Sequence, residues 1–278
     1  MAAALLLCAA LISQAEPARG EETQAGGGME VRTETILYKH GDTVLEGYLA
    51  APASAGTGDT RAEGAGKGLP GILVIHDWSG VGPYVRERAE QLAGEGYVAM
   101  AIDIYGQGNR PESMEERART AGSFRSDREL MRARARAGLE RLKADPRVDG
   151  DRIAAIGYCF GGGAALEMAR SGAPLAGVVS FHGSLDTPRP ADMKAFRGKI
   201  LVCHGADDPH VPPEQVAAFL KEVKEAGVDY QFIMYGGAVH SFTQRAAGGD
   251  PSKGSAYHEG ADRRSWRAMM DFLAEIFG

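Results

Sequence analysis

The sequence has little of several features that mark particular classes of protein. It contains three cysteines among 278 residues, too few for a disulfide framework. It shows neither CxxC nor His-x-x-His spacing, so we expect no metal site. Lys and Arg do not outnumber Asp and Glu, and the formal net charge of −6 predicts no basic face for nucleic acid. These absences exclude disulfide-rich, metal-dependent and nucleic-acid-binding proteins.

Long hydrophobic runs are lacking too. An apolar run at the N-terminus, Ala2–Ile12, is too short to cross a membrane, so we expect no stable membrane anchor. Ser13-Gln14-Ala15 follows it and resembles a signal-peptide cleavage site. We predict a signal peptide at residues 1–15, a flexible leader at 16–30, and a periplasmic or secreted protein. No Lys or Arg precedes the run, and without a functional signal the protein would be cytoplasmic.

From Pro70 onward, strand-like segments alternate with helix-like segments. GILVIHD is a short apolar run, typical of a strand buried on both faces, and YVRERAEQLAGEG has the spacing of a helix with glycines at its end. Strands that alternate with helices indicate a mostly parallel sheet covered on both faces. We predict an α/β fold with about eight strands and helices on both faces, in one domain at residues 31–278.

Reactive side chains follow several of the predicted strands. In a parallel sheet such groups meet at the carboxyl edge. Cys159, Asp208 and His240 each follow a predicted strand, in this order along the chain. Nucleophile, acid and base occur in that order in the α/β-hydrolase fold, which we therefore predict.

The cysteine lies in a forced turn. Gly157-Tyr158-Cys159-Phe160-Gly161 stands between an apolar strand segment and a helical segment, and small neighbours allow such a turn to present its central side chain. The helix N-terminus favours a thiolate there. The alternatives are a phosphate-binding turn or a packing cluster of glycines. The spacing is not GxGxxG and no Gly-Lys-Ser/Thr follows, which argues against nucleotide binding.

The acid and the base are assigned by position. Asp208 lies three residues after Gly205, just past the strand ILVC, where a carboxylate can orient an imidazole. Asp207 is the competing candidate. His240 follows the last predicted strand and is the expected base, whereas His210 is expected to be a loop residue because it lies so near the acid. Cys203 ends a buried strand and is expected to be a core residue.

An acyl-transfer site also needs donors for the oxyanion. The backbone N–H of Phe160, directly after the nucleophile, is the first expected donor. We expect the second from the loop after LVIHD, at Asp77 or Trp78.

Taken together, the motifs resemble those of the dienelactone hydrolase family of α/β hydrolases. The matching segments are VIHDWSGVG, AIDIYG, IGYCFGGGAAL, HGADDPHVP and GGAVHSF. The resemblance implies a catalytic triad of Cys159, His240 and Asp208 that cleaves an ester or lactone through an acyl-enzyme, with no cofactor. The expected partner is therefore a small-molecule ester or lactone, and the protein is expected to be a monomer or a homodimer.

Four positions depart from the family pattern or remain open. Family members carry a Glu beside the thiol, where this chain has Asp77, which either still reaches Cys159 or has lost that role. His76 is either a pocket residue or a packing residue. The family's two carboxylate-binding arginines correspond to Gln107 and Gln244, so we expect an altered substrate preference. Arg110 or Arg245 could replace them only from a shifted loop.

Two other functions are left open by the residues. The fold also serves as a non-catalytic binding scaffold. Cys159 could instead be a redox-sensing thiol without ester turnover. Residues 106–125 and 244–262 could shape the pocket as lids, and the alternative for each is a plain surface loop.

Overall fold

The computed structural model describes residues 29–56 and 68–278, together with the backbone of Glu22 and Thr23. The predicted signal peptide at residues 1–15 and most of the predicted leader at 16–30 lie outside the described residues. Glu22 and Thr23, inside that leader, pair antiparallel with Arg32 and Val31.

The described chain alternates strands and helices as predicted. The strands are β1 (Glu22–Thr23), β2 (Val31–His40), β3 (Thr43–Pro52), β4 (Leu69–Ile75), β5 (Val98–Ile102), β6 (Val148–Tyr158), β7 (Gly177–Phe181), β8 (Lys199–Gly205) and β9 (Tyr230–Tyr235). The helices are α1 (Pro83–Gly94), α2 (Met114–Ser126), α3 (Arg128–Lys143), α4 (Phe160–Arg170), α5 (Pro213–Ala226) and α6 (Glu259–Phe277).

All of these strands belong to one sheet, in the order β1-β2-β3-β5-β4-β6-β7-β8-β9. The six strands from β4 to β9 run parallel to one another, whereas the pairings β1–β2, β2–β3 and β3–β5 are antiparallel. Apart from the two-residue β1, the sheet has the eight strands predicted, and the mostly parallel α/β fold is confirmed. All six parallel strands end at one edge, which is where the reactive side chains gather.

Helices cover both faces of the sheet. The apolar side chains of α3, α4 and α5 pack with Leu73 and Ile75 of β4, whereas those of α1 and α6 pack with Ile72 and Val74 of the same strand. Successive side chains of a strand point to opposite faces, so an unbroken apolar strand supplies both layers.

Helix α4 lies in the middle of the molecule, and every one of its residues is buried. It nevertheless carries Glu167 and Arg170, both fully buried. The Arg170 guanidinium donates to both carboxylate oxygens of Glu222, at 2.7 and 2.9 Å, and to Glu167 at 2.9 Å. Arg132 reaches Glu167 from α3 at 2.7 Å. Buried charges are tolerated only when they are paired in this way.

Two features are absent from the described residues, a membrane-spanning helix and a metal-binding cluster. No helix there is long and apolar enough to cross a membrane. No group of three or more His, Cys, Asp or Glu side chains in the same part of the chain is placed to hold a metal ion.

Candidate active site

The site lies at the carboxyl edge of the sheet. Asp77 follows β4, Cys159 follows β6, Asp208 follows β8 and His240 follows β9. These strands run parallel, so residues up to 163 positions apart in sequence (Asp77 to His240) reach one edge.

Cys159 occupies the strained turn that its flanking glycines predict. It is the N-cap of α4, with φ 55° and ψ −114°, a left-handed region that non-glycine residues rarely adopt. A Cβ on Gly157 would lie 1.9 Å from the Gly161 carbonyl oxygen, and one on Gly161 would lie 2.2 Å from the oxygen of Ile75. Only glycine fits either position, and the turn holds the thiol at the start of a helix.

Cys159, His240 and Asp208 form one line of contacts. The Sγ atom of Cys159 lies 3.0 Å from Nε2 of His240, and Nδ1 of His240 lies 2.9 Å from Oδ2 of Asp208. The Asp208 side chain has no exposed surface, whereas 14% of the His240 side chain is exposed. Asp208 also accepts a hydrogen bond from the His210 backbone N–H at 2.8 Å. The structure thus brings the predicted nucleophile, base and acid together.

Electrostatics favour a charged imidazole in this line. Burial lowers the pKa of His240, but the Cys159 charge and the hydrogen bonds to Asp208 and Cys159 outweigh it and raise the pKa to about 10. Burial raises the pKa of Asp208, yet the hydrogen bond and charge of His240 leave it below its usual range. A charged imidazole hydrogen-bonded to an ionised Asp208 is the protonation pattern that these shifts support.

The competing candidates for the acid and the base, Asp207 and His210, lie outside this line of contacts. The Asp207 side chain is exposed and accepts a hydrogen bond from the backbone N–H of Gly237 at 3.1 Å. His210 is an exposed loop residue whose ring contacts the His240 ring edge-on, with centroids 5.2 Å apart. Both placements agree with the sequence interpretation.

The segment 244–262 supports His240 through the backbone. His240 N–H donates to the Gly254 carbonyl at 3.3 Å, and Ala256 N–H donates to the His240 carbonyl at 3.0 Å. His258 N–H likewise donates to the Phe242 carbonyl at 3.0 Å. In the described structure this segment holds the base in place, a role that the lid interpretation did not include.

Asp77, the residue in place of the family's Glu, is tied to neighbours other than the thiol. Its Oδ2 accepts a hydrogen bond from the side-chain amide of Gln244 at 2.7 Å, and its Oδ1 accepts one from Ser79 N–H at 2.7 Å. Asp77 is buried, with 8% of its surface exposed. Cys159 pairs with His240 instead. The two departures from the family pattern, Asp77 and Gln244, therefore contact each other.

The other polar residues considered for substrate binding make different contacts. Gln107 is exposed, with its amide 3.5 Å from the Glu46 carboxylate. Arg110 donates to the Val81 carbonyl at 3.1 Å, and the Arg245 guanidinium lies over the Tyr257 ring at 4.9 Å.

His76 is fully buried. Its ring contacts the rings of Tyr105 and Phe160, with centroids 4.6 and 5.7 Å away. Trp78 is half-buried, and its carbonyl accepts a hydrogen bond from the Tyr105 hydroxyl at 3.3 Å. The packing alternative for His76 is the one that the geometry supports.

Three residues that contact His240, directly or through one another, were not predicted from the sequence. His182 follows β7 with φ 39°, and its buried ring packs edge-on against His240, with centroids 5.3 Å apart. Its Nε2 lies 2.7 Å from the hydroxyl of Thr243, which lies 2.6 Å from the hydroxyl of Tyr84. Burial, and then the charge of His240, hold the pKa of His182 well below its usual range. A histidine directly after a strand was the available signal, whereas nothing local pointed to Thr243 or Tyr84.

Comparison with known proteins agrees with the fold. The family model described as the dienelactone hydrolase family matches residues 59–277. A solved structure named m3DLH has a TM-score of 0.82 and 41% sequence identity, covering 89% of this chain and 99% of its own. The crystal structure of a dienelactone hydrolase-like promiscuous phosphotriesterase from metagenomic libraries has a TM-score of 0.80 and 37% identity, covering 91% of this chain and 100% of its own.

Sequence comparison gives a concordant result. A probable 2-oxo-3-(5-oxofuran-2-ylidene)propanoate lactonase of Bradyrhizobium sp is 28% identical over 256 residues, 87% of this chain and 95% of that relative. The chain therefore belongs to the dienelactone hydrolase family and is an ester or lactone hydrolase.

Proposed function

We propose that the protein hydrolyses esters or lactones with Cys159 as nucleophile, His240 as base and Asp208 as the acid that orients His240. The observation that carries the proposal is the unbroken line from Sγ through the imidazole to the carboxylate, with contacts of 3.0 and 2.9 Å. A nucleophile, a base in reach of it and a third group that orients the base make up the arrangement that covalent catalysis requires.

The first half of the cycle forms an acyl-enzyme. The Cys159 thiolate attacks the carbonyl carbon, and the carbonyl electrons move onto oxygen. When the tetrahedral adduct collapses, the bond to the alcohol oxygen breaks and His240 gives its proton to that oxygen. A lactone substrate opens its ring in this step and stays attached through the thioester.

The second half releases the acid. Neutral His240 takes a proton from water, and the resulting hydroxide attacks the thioester carbonyl. The carbon–sulfur bond breaks, the acid leaves, and the thiolate is again paired with imidazolium. Asp208 keeps Nδ1 protonated throughout, because its carboxylate accepts that hydrogen bond.

The oxyanion that forms in both halves needs two donors. The backbone N–H groups of Phe160 and Trp78 are our candidates. In the loops and turns of the described chain, neither N–H group donates to a backbone carbonyl. Gly161 packs against the carbonyls of Ile75 and His76, so the turn of the nucleophile and the loop carrying Trp78 lie side by side.

The substrate class follows from Asp77 and Gln244. Arginines would favour a carboxylated substrate here, whereas the buried Asp77 side chain accepts hydrogen bonds from neutral donors, the Gln244 amide and the Ser79 N–H group. A second carboxylate placed there would meet like charge. We infer that the acyl group of the preferred substrate is uncharged.

Matched esters test this inference. p-Nitrophenyl pentanoate and mono-p-nitrophenyl glutarate differ only in a terminal methyl or carboxylate, and we expect the neutral ester to give a kcat/KM about tenfold higher or more. Gln244→Arg should shift the ratio toward the glutarate. Arg245→Gln is the control, because Arg245 stacks on Tyr257 and should leave the ratio unaltered. A wild-type preference for the glutarate would contradict the inference.

A second candidate activity is cleavage of phosphotriesters. The relative described as a promiscuous phosphotriesterase is 37% identical across 91% of this chain. The same thiolate could attack phosphorus and expel an activated alcohol, with His240 assisting hydrolysis of the phosphoryl-enzyme. Including a p-nitrophenyl phosphotriester in the substrate series measures this activity beside that on esters.

Hydrolysis of p-nitrophenyl acetate tests the nucleophile. We expect Cys159→Ala to lower kcat/KM by ~10³-fold or more, because the acyl acceptor is lost. Cys203→Ala is the matched control and should stay within about threefold, since Cys203 is fully buried in the core. Undiminished turnover by Cys159→Ala would overturn the assignment. An inactive wild-type protein would instead favour the scaffold or redox hypothesis.

A further inference from the structure

We propose that His76 positions the second oxyanion donor, the backbone N–H of Trp78, by holding the peptide between Asp77 and Trp78 in one orientation. The inference rests on the proposed function, since it assigns a part to one of its oxyanion donors. His76 is a positioning residue, because it is fully buried and acts through the peptide that follows it.

The hydrogen bonds of the His76 ring determine which nitrogen carries the proton. The Ile104 backbone N–H donates to Nε2 at 3.2 Å, so Nε2 is an acceptor without a hydrogen. In a neutral imidazole the proton is then on Nδ1. Nδ1 lies 2.5 Å from the Asp77 carbonyl oxygen, which accepts its hydrogen bond. The Ile104 N–H, in the loop just after β5, therefore selects the Nδ1–H tautomer, and the Nδ1–H group holds the Asp77 carbonyl in one orientation.

Because the Asp77 carbonyl is held in one orientation, the direction of the Trp78 N–H in the same peptide is also determined. The Asp77 carbonyl and the Trp78 N–H belong to one planar unit, and no peptide bond of the described chain is cis. In a trans peptide the N–H points opposite to the carbonyl. Gly80 N–H donates to the same carbonyl at 3.4 Å and closes a turn around Trp78. The Trp78 N–H thus points away from the His76 ring and out of the turn.

The ring contacts both residues that supply the proposed donors. It is bonded to the peptide of Trp78, and it stacks on the Phe160 ring at 5.7 Å with an interplanar angle of 16°. Tyr105 packs on its edge and donates its hydroxyl hydrogen to the Trp78 carbonyl at 3.3 Å. One buried ring therefore contacts both the turn that carries Phe160 and the loop after β4 that carries Trp78.

The neutral ring is the form that this arrangement requires. A protonated ring would place a hydrogen on Nε2 against the Ile104 N–H, and two donors would then face each other. Burial lowers the pKa of His76 and keeps it neutral. The charged groups that act on the ring are the carboxylates of Asp103 and Asp77, which raise its pKa, and the guanidinium of Arg110, which lowers it.

Two reactions of the same thiol separate positioning from packing. Ester hydrolysis builds an oxyanion, whereas alkylation by iodoacetamide is a displacement at a saturated carbon and builds none. We expect His76→Leu to lower kcat/KM for p-nitrophenyl acetate by ~10²-fold, the cost of one misplaced donor. Its alkylation rate at Cys159 should stay within about twofold of wild type. His76→Gln keeps a donor and an acceptor and should recover at least about tenfold of the loss.

Other results would overturn the proposal. Equal losses in hydrolysis and alkylation in His76→Leu would mean that the ring only supports the turn of Cys159. Unchanged hydrolysis in His76→Leu would mean that the ring does not position the Trp78 N–H. If His76→Leu does not fold, nitrogen-15 NMR of the wild-type ring decides: the Nδ1–H tautomer is expected at neutral pH, and an Nε2–H or charged ring contradicts the proposal. Failure of the proposed function would appear separately, as hydrolysis that survives in Cys159→Ala.

Discussion

Two free cysteines lie buried in the described core, and their surroundings differ. Burial raises the pKa of Cys203 to about 12, and its Sγ atom lies 3.7 Å from the Tyr235 hydroxyl. Cys159 lies at a helix N-terminus with an imidazole nitrogen 3.0 Å away. The two thiols therefore differ in their neighbours, and of the two only Cys159 has an imidazole within hydrogen-bond distance.

Substituting Asp208 and Asp207 separately tests which aspartate orients His240, because the two residues are adjacent and only Asp208 contacts the imidazole. We expect Asp208→Asn to lower kcat by ~10²–10⁴-fold, since the amide cannot hold the imidazole in its reactive tautomer. Asp207→Asn should keep near-wild-type kcat, because Asp207 only accepts a hydrogen bond from Gly237 in an exposed turn. Steady-state kinetics on one ester decide, and equal effects would contradict the assignment.

The pKa of Asp208 adds a pH dependence of stability. Its folded-state pKa lies below the unfolded value of ~3.9, so the group stabilises the fold above that pH and the contribution disappears as pH falls through the folded pKa. The free-energy difference between wild type and Asp208→Asn, measured by urea unfolding, should therefore be larger at pH 6 than at pH 3. A difference that grows toward pH 3 would contradict the shift.

At the scale of elements, the turn between β6 and α4 is the feature most constrained by packing. It connects the central strand to the most buried helix, and the glycines on both sides of Cys159 touch backbone atoms. Glycine is needed there because of close approach, whereas the strained φ of 55° falls on Cys159 itself. Strain at the reactive residue persists because the packing around it permits no alternative.

A pair of glycine substitutions tests that constraint. Gly157→Ala should cost at least about 2 kcal/mol of unfolding free energy and most of the activity, because its Cβ would lie 1.9 Å from the Gly161 carbonyl oxygen. Gly122→Ala in α2 meets nothing within 4 Å and should stabilise the protein by about 0.5–1 kcal/mol. Chemical denaturation compares the two, and a Gly157→Ala protein as stable as wild type would refute the packing argument.

At the scale of the whole molecule, one buried charge network joins three helices on the same face of the sheet. Arg132 of α3 and Arg170 of α4 share Glu167, and Arg170 also holds Glu222 of α5. The outer carboxylate, Asp192, lies 2.8 Å from Arg132. The network lets the central helix be fully buried while it carries charge, and it links helices that cover the sheet under the active site.

Removing one member of this network should destabilise the whole fold. We expect Arg170→Met to cost ~3–5 kcal/mol, because two carboxylates would stay buried with fewer partners. Lys221→Met is the matched control: its pair with Glu225 is exposed, at 3.8 Å, and should be worth less than about 1 kcal/mol. Urea unfolding measures both, and similar costs for the two variants would argue against a structural role of the buried network.

The sequence predicts what depends on local pattern. The buried strands, the glycine-flanked turn and the positions of Asp208 and His240 after their strands all leave short signatures, and the structure has them as predicted. The pairing of Asp77 with Gln244 joins residues 167 positions apart and depends on how two loops meet. Contacts such as His182 to Thr243 and Tyr84 likewise arise only when separate elements pack together.

The most direct test of the central claim is the mass of the Cys159 peptide after the protein is mixed with p-nitrophenyl acetate and quenched in acid within milliseconds. Acylation by an activated ester is expected to outrun deacylation, so the peptide should gain one acetyl group, with a burst of p-nitrophenol approaching one per chain. The acetyl group should be absent from every peptide of Cys159→Ala. Acetylation at another residue in wild type, together with full turnover by Cys159→Ala, would contradict the claim that Cys159 is the nucleophile.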